Sequence, residues 1–377
     1  MITVLYICPD PSLGGSTRSL TNLIASVRGE IYPIVLLPIK GEAYGYLVEN
    51  GIETIVCPYV LLHNFYPQDW KRVVLHPWRM RIVKYWRLDW KCVLWVKHYL
   101  NGRKIDLVHS NYSPVTVGCL LAKVLKAKHV WHIREFLDLH FHYNIYLGIP
   151  RLRRKINHAD ARVAISSAVR KHWKLKDSNS WTIMNAIGSA ANSFYVREKE
   201  QYLLLCSYFL TEAKGTRVAI TAFGISGLFR EGYRLKLVGN CKDEYQQSLK
   251  DTAKEYGCEE YVDFIPCQSD IKSFFATATA YIMASECEGL GRVTAEAMFY
   301  GCPVVAHASG GTLDLVKDGE TGYLFKTVEE CSALLRRVCS ADNEKMILRA
   351  QEFVKDNLSQ EVYGPKIMDV YKCVLGR

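Results

Sequence analysis

No apolar run in this chain reaches the roughly 18 to 20 residues that cross a bilayer as a helix, so no transmembrane helix is expected. The N-terminus, "MITVLYICPDPSLGG", lacks a basic leader and a small-residue cleavage site; it reads as a buried strand entering a Gly-rich turn, and the expectation is a cytosolic protein. The 13 cysteines include no C-x-x-C spacing, and several, among them Cys57, Cys119 and Cys206, sit inside apolar runs, so they read as reduced core thiols. There is no D-x-D sequence and no His/Asp cluster at metal-ligand spacing, so no metal cofactor is expected. No internal repeat of solenoid length and no nucleic-acid motif is present, which leaves nucleic acid off the list of expected partners.

What is there is an alternation. With 377 residues the chain has room for two domains, each able to bury its own core. Apolar strand-like runs at 2–7, 33–37, 52–57, 105–109, 128–132 and 161–165 alternate with helix-length amphipathic segments, and a second series follows at 202–206, 233–238, 261–265, 280–284, 303–306 and 322–325. This is the pattern of a doubly wound α/β protein, repeated. The stretch 186–200, "AIGSAANSFYVREKE", has no periodicity and reads as a linker. The expected organisation is therefore an N-terminal Rossmann-like domain over 1–185, the linker, and a C-terminal Rossmann-like domain over 201–357. The last segment, 358–377, is expected to pack back on the first domain. Ligands of such sheets bind beyond the carboxyl ends of the strands, so the two domains are expected to face each other across a cleft.

The densest chemical signal is 285–325, "SECEGLGRVTAEAMFYGCPVVAHASGGTLDLVKDGETGYLF". A strand ends near Ala284, a loop follows, and a helix is expected from near Gly291 to Tyr300. Gly289 and Gly291 let backbone amides approach a ligand, and the helix start behind them offers unsatisfied N–H donors and partial positive charge to a diphosphate. Glu288 and Glu296 flank that helix end, and carboxylates accept two hydrogen bonds from vicinal hydroxyls of a sugar or ribose. Read alone, the two acids fit a loop acid and a surface helix residue better than a site; the string around them decides otherwise.

The surrounding string resembles the retaining glycosyltransferases of family 4, a GT-B group with the pattern E-x7-E, EAM, G-x-P-V-V and G-G. Here it stands as Glu288, Glu296-Ala297-Met298, Gly301-Cys302-Pro303-Val304-Val305 and Gly310-Gly311. The resemblance implies a GT-B fold, a nucleotide diphosphate sugar as donor and no metal. It implies that Glu288 contacts the donor hexose and Glu296 the ribose. The amides of Gly289, Leu290 and Gly291 would lie by the sugar and phosphates, with Ile265 counted among the donor-side residues. Lys214-Gly215 stands where the family carries a diphosphate-binding Lys-Gly, but the arginine expected five or six residues earlier is replaced by Tyr208 or Phe209. Arg217, Arg292 and Lys236 are the candidate substitutes.

In the first domain, Gly14-Gly15-Ser16 lies between a strand and a helix; a tight turn and a phosphate- or acceptor-facing loop explain it equally, and the resemblance favours the latter. His109, Asn111, His132, Arg134 and Glu135 fall at strand ends. His132 matches the family's histidine beside the donor sugar and is read as catalytic with Glu288 and Lys214; His109, Asn111 and Arg134 are read as acceptor-side. Arg134 and Glu135 form an ion pair only or shape the acceptor site. Ser166, Ser167 and Asn185 read as structural or cleft-lining. Two alternatives remain open: a nucleotide-sugar 2-epimerase of the same fold, and a catalytically impaired nucleotide-sugar-binding homologue.

Charge is divided unevenly: residues 1–190 carry 26 Lys+Arg against 12 Asp+Glu, the remainder 22 against 26. Between Trp70 and Lys104, ten bases and one acid, Asp89, interleave with Trp70, Trp78, Trp86, Trp90 and Trp95. Arg151, Arg153, Arg154 and Lys155 form a second basic cluster. Tryptophan with long basic side chains suits an anionic membrane surface, where a lipid-linked or oligosaccharide acceptor would be met; a core-packed amphipathic helix over 85–100 is the competing reading.

Overall fold

Residue-by-residue alternation explains how each sheet of the protein is covered on both faces. A computed structural model describes residues 1–61, 63–65, 78–141, 143–145, 148–268 and 270–377. Its strands are β1 Ile2–Ile7, β2 Ile31–Leu37, β3 Glu53–Val56, β4 His63–Phe65, β5 Leu107–Ser110, β6 Lys128–Ile133, β7 Tyr143–Ile145, β8 Ala161–Ala164, β9 Ser180–Thr182, β10 Glu200–Phe209, β11 Arg234–Asn240, β12 Val262–Ile265, β13 Ala278–Met283, β14 Val304–His307 and β15 Tyr323–Phe325. All twelve apolar runs read from the sequence coincide with strands. The short β4, β7 and β9 were not foreseen.

The chain divides into two units, residues Met1–Ala186 with Gln360–Arg377, and Ile187–Ser359. The first contains a seven-stranded sheet in the order β3-β2-β1-β5-β6-β8-β9, parallel throughout. Successive β1 side chains serve opposite faces. Val4 and Tyr6 join the helices Gly15–Ser26 and Gln360–Leu375 in one core. Leu5 and Ile7 join Cys92, Val93, Val96 and Leu100 of the helix Trp78–Leu100, with Leu121 and Ala122 of the helix Val117–Leu125, in the other. The C-terminal helix is thus part of the first unit's core. It fits because Gly364 has no side chain: a Cβ there would stand 2.1 Å from the Ser26 carbonyl oxygen.

The second unit has a six-stranded parallel sheet, order β12-β11-β10-β13-β14-β15. Residues 187–199, expected as linker, belong to this unit. Gln351 Nε2 donates to the Phe194 and Phe299 carbonyls, and Ser193 Oγ to Phe299 O, which ties that stretch to the helices Arg292–Phe299 and Glu344–Leu358. In each unit the strand order reverses once, between β1 and β5 and between β10 and β13. Loops leaving the carboxyl ends of those pairs are where a doubly wound sheet receives a ligand. All 13 cysteines are free.

Candidate active site

In the second unit the two loops at the reversal point carry the residues singled out by sequence. The loop after β10 brings Lys214, the loop after β13 brings Glu288, and the two meet: Lys214 Nζ lies 2.6 Å from Glu288 Oε1. Glycines make the approach possible. Gly215 has φ +68°, and a Cβ on it would fall 2.1 Å from the Ala284 carbonyl oxygen, so the Lys-Gly turn is pressed onto the end of β13. Ser285 Oγ donates to Ala213 O at 2.9 Å and fixes the same junction. On the other side, Gly311 N donates to Glu288 O at 2.8 Å, while a Cβ on Gly311 would meet Gly289 O at 2.2 Å. The G-G of the signature is therefore the seat of the Glu288–Gly289 backbone.

Gly291, at φ +85°, caps the helix Arg292–Phe299. One turn inside it, Glu296 Oε1 accepts from Arg292 Nε at 2.9 Å, with both side chains largely covered. The charges of Glu288 and Glu296 both bear on the buried Tyr281 phenol, which burial first, then Cys206 and these two acids, push well above its usual range. Two carboxylates, each held by a cation, thus stand around one helix start. Ile265 ends β12, in register with Val238 and half-buried, two strands out from β10.

In the first unit the Gly-rich turn is occupied by a residue the sequence reading missed. Asp10 Oδ1 accepts from Ser12 N at 2.9 Å and Ser12 Oγ at 2.6 Å, and Oδ2 accepts from Ser16 Oγ at 3.2 Å. The carboxylate lies so close that a Cβ on Gly14 would be 2.5 Å from Oδ2. An anion at the start of the helix Gly15–Ser26 is thus already supplied by the chain, and Gly14-Gly15-Ser16 presents a carboxylate-backed turn in place of an open phosphate cradle. An Asp two residues before a Ser in a Pro- and Gly-rich stretch is the signal that would have revealed it.

His109, Asn111 and His132 are fully buried and Arg134 nearly so. Arg134 donates from Nε and Nη2 to Asn111 Oδ1 at 3.0 and 2.7 Å and from Nη1 to Asn185 Oδ1, while Nη2 lies 3.4 Å from His132 Nδ1. His109 Nδ1 is 2.7 Å from the hydroxyl of Tyr371 on the C-terminal helix, itself 3.0 Å from Tyr6 OH. His109 and Asn111, expected on the acceptor side, are engaged inside the unit: they hold Arg134 and the C-terminal helix. Burial and the Arg134 charge keep His109 and His132 well below their usual pKa, so both rings are neutral. His132 Nε2 has no hydrogen-bond partner among the described residues. Glu135 turns to a different partner from Arg134, accepting from Ser113 N at 3.0 Å, and burial pushes its carboxyl up to about 7. Ser166 caps the helix Ser167–Trp173, accepting from Val169 N.

Residues 191–353 match the family model described as "Glycosyl transferases group 1". The second unit is a glycosyltransferase domain. A Haemophilus influenzae glycosyltransferase is 28% identical over 259 residues, covering 65% of this chain and 70% of that protein. An alpha-1,3/1,6-mannosyltransferase of Dictyostelium discoideum is 27% identical over 221 residues, 53% of this chain and 52% of its own length, so the chain spans about half of that relative. Among solved structures, HepE of Anabaena in complex with UDP and glucose superposes with TM-score 0.77 at 18% identity, covering 99% of this chain and 100% of that one. Sucrose-phosphate synthase of Thermosynechococcus elongatus does so at 0.77 and 15% identity over 100% of both chains. The fold is GT-B, two Rossmann-like parallel-sheet domains. The Lys214–Glu288 and Arg292–Glu296 pairs both lie in the glycosyltransferase domain. Among the described residues no group of three or more His, Cys, Asp or Glu side chains is gathered to hold a metal ion.

Proposed function

We propose that the chain is a retaining glycosyltransferase of family 4 that moves a hexose from a nucleotide diphosphate sugar to a hydroxyl of a lipid-linked or saccharide acceptor, in cell-surface polysaccharide synthesis. The observation that carries this reading is the Lys214–Glu288 contact of 2.6 Å at the strand-order reversal of the glycosyltransferase domain. It joins the cation for a departing diphosphate to the carboxylate for hexose hydroxyls, where the fold receives ligands. Glu296 takes the ribose diol, and the 289–291 amides add donors toward the diphosphate. Charge on the leaving group is neutralised by Lys214 and these amides without a bound cation. HepE of Anabaena, of the same fold, holds UDP and glucose.

In the first unit, His132 is assigned to the transferred sugar. Its imidazole is neutral and its Nε2 unpartnered among the described residues, the state needed to accept from or donate to a sugar hydroxyl. Retention follows from attack by the acceptor hydroxyl on the face the diphosphate leaves, the departing phosphate oxygen taking the acceptor's proton. Acceptors carried on a membrane are met through the basic, tryptophan-bearing part of the first unit.

Incubation with a panel of nucleotide sugars and polyprenyl-linked or saccharide acceptors, scored by mass spectrometry with and without EDTA, tests the whole reading. The expected product is an α-configured glycoside from an α-configured donor, formed equally in chelator. Conversion of the nucleotide sugar to its 2-epimer without acceptor, or a β product, would replace this reading.

A further inference from the structure

His132 lies near the carboxyl end of β6, and its two ring nitrogens meet different surroundings. Nδ1 is 3.4 Å from Nη2 of Arg134, while Nε2, buried with the rest of the ring, has no hydrogen-bond partner among the described residues. A neutral imidazole gives a hydrogen bond from one nitrogen and accepts at the other, so the position of its proton decides what the ring can do. For the neighbouring His109 that position stays open, because Nδ1 faces the Tyr371 hydroxyl at 2.7 Å and a hydroxyl serves as donor or acceptor. At His132 the partner closes the question. A guanidinium has five N–H donors and no acceptor, so a nitrogen bonded to Arg134 must offer a lone pair. Nδ1 is therefore bare. An imidazolium would direct Nδ1–H at the guanidinium N–H, which leaves the neutral ring with its one proton on Nε2. Burial, then the Arg134 charge, act in the same direction, holding the ring well below its usual pKa.

Amides, not an acid, hold the guanidinium in this place. Asn111 Oδ1 accepts from Arg134 Nε and Nη2 at 3.0 and 2.7 Å, and Asn185 Oδ1 accepts from Nη1. Asn111 presents its oxygen because its Nδ2 donates to the Ser16 carbonyl at 3.3 Å. Glu135, next in sequence, accepts from Ser113 N instead. A carboxylate in the place of Arg134 would reverse the ring, accepting from Nδ1–H and leaving Nε2 as a base, as in a carboxylate–histidine pair. With a cation there, Nε2 emerges as a donor. A buried N–H without a partner is costly to keep, and it fits a ligand oxygen arriving at that point.

We infer that Arg134 is a positioning residue that locks His132 in the Nε2–H tautomer, making the ring a hydrogen-bond donor to a lone pair of the transferred hexose and removing it as a base for the acceptor hydroxyl. The hexose half of this statement rests on the nucleotide-sugar reading above; the tautomer does not. Arg134 acts through His132, without touching a ligand itself.

The test is long-range proton–nitrogen correlation spectroscopy of the full chain carrying nitrogen-labelled histidine, the His132 signals being assigned by their loss in His132→Gln. Wild type is expected to show Nδ1 as a bare nitrogen and Nε2 as a protonated one, unchanged between about pH 8 and 6. Arg134→Lys keeps a donor-only cation and should retain that pattern, whereas Arg134→Gln, whose amide also offers an acceptor, should show both tautomers. A wild-type ring protonated on Nδ1, or on both nitrogens, overturns the inference whether or not the variants fold, and an Arg134→Gln spectrum identical to wild type overturns the role of Arg134. Titrating labelled wild type with UDP, UDP-glucose and GDP-mannose separates the two halves. The Nε2–H signal is expected to move with a nucleotide sugar that binds and to stay in place with UDP. The expected tautomer with an Nε2–H signal that no bound nucleotide sugar moves would keep Arg134 in its role and remove His132 from the hexose.

Discussion

Glu288 shows how far single residues could be read from sequence. Its spacing to Glu296 and the glycines around it were legible, because they follow from one loop and one helix. Its partner was not: Lys214 lies 74 residues away, and only the β10–β13 neighbourhood brings the two to 2.6 Å. The same holds for Asp10 on the Gly-rich turn and for the Tyr371 hydroxyl on His109, each a side-chain contact that spacing does not encode. Replacing Glu288 by Ala is expected to lower turnover at least about a hundredfold, with little change in melting temperature because the pair is partly solvated, whereas Glu296→Ala should act mainly on donor affinity. Near-normal turnover of Glu288→Ala on the best donor would remove it from the site. A pH effect follows from the buried histidines. Burial holds His109 and His132 well below their usual value and pushes His129 down to about 4, so all are neutral in the fold and protonate near 6.5 once unfolded. Stability from them is full above about pH 6.5 and is lost as pH falls toward each folded value. Glu135 has the opposite sign: with its carboxyl pushed up to about 7, it takes stability away as pH rises from about 4.5 to 7. Three histidines outweigh one glutamate, so the melting temperature is expected to drop between pH 7.5 and 5.5. His129→Gln should flatten that slope, which differential scanning calorimetry reads directly.

At the scale of elements, the pattern of apolar runs identified the longer strands, because the central ones are buried on both faces and continuous in hydrophobic residues, and even the half-buried edge strands β3 and β12 keep apolar residues. It missed β9, whose three residues are only partly covered at the sheet edge, and it could not give the order of strands, which depends on packing between elements distant in sequence. The extent of the linker was misread for the same reason. Residues 187–199 look irregular, yet Gln351 and Phe299 bind them to the second unit. The C-terminal helix illustrates an element whose place rests on one small residue. Its Gly364 abuts the backbone of the helix Gly15–Ser26, and the helix delivers Tyr363, Ile367 and Tyr371 to the core. Gly364→Ala would add a methyl group with backbone on its far side, forcing the two helices apart at a cost of about 1–3 kcal/mol. Urea unfolding followed by circular dichroism should show a lower midpoint with an unchanged slope. Since Tyr371 reaches His109 from this helix, His132 should also be disturbed, and a variant with wild-type stability would show that the two helices tolerate a wider spacing.

For the molecule as a whole, the division of charge asks for an explanation that neither sheet nor donor site gives. Residues 1–190 hold 26 bases against 12 acids, and the described part of the tryptophan-rich stretch shows how such charge is displayed. Trp70 lies outside the described residues. Within the helix Trp78–Leu100, Trp86 is 60% exposed and Trp95 43%, with Leu94 and Tyr99 also outward, while Trp90 is half-buried. Arg87, Lys91, Lys97 and His98 are exposed with them. Asp89, the single acid, points inward: it accepts from Val60 N at 2.9 Å, and burial pushes it up to about 6, the charge of Lys155 on the basic helix Ile149–Ile156 working the other way. The core-packed reading of these tryptophans thus fails for two of the three whose surroundings are described. An outward face of indole and phenol rings among bases, with its acid withdrawn, fits anionic headgroups, the rings entering the acyl boundary and each base adding about 1 kcal/mol. Among the described residues no helix is long and apolar enough to cross a membrane. In sedimentation assays the protein should bind vesicles containing phosphatidylglycerol and leave neutral phosphatidylcholine vesicles alone. Raising salt to about 0.5 M should weaken that binding through screening, as should replacing Arg87, Lys91 and Lys97 together by Ser. Trp86→Ser with Trp95→Ser should weaken it at every salt concentration. Equal partition into both vesicle types, or into neither, would assign the basic face to solvent and point to a saccharide acceptor free in solution.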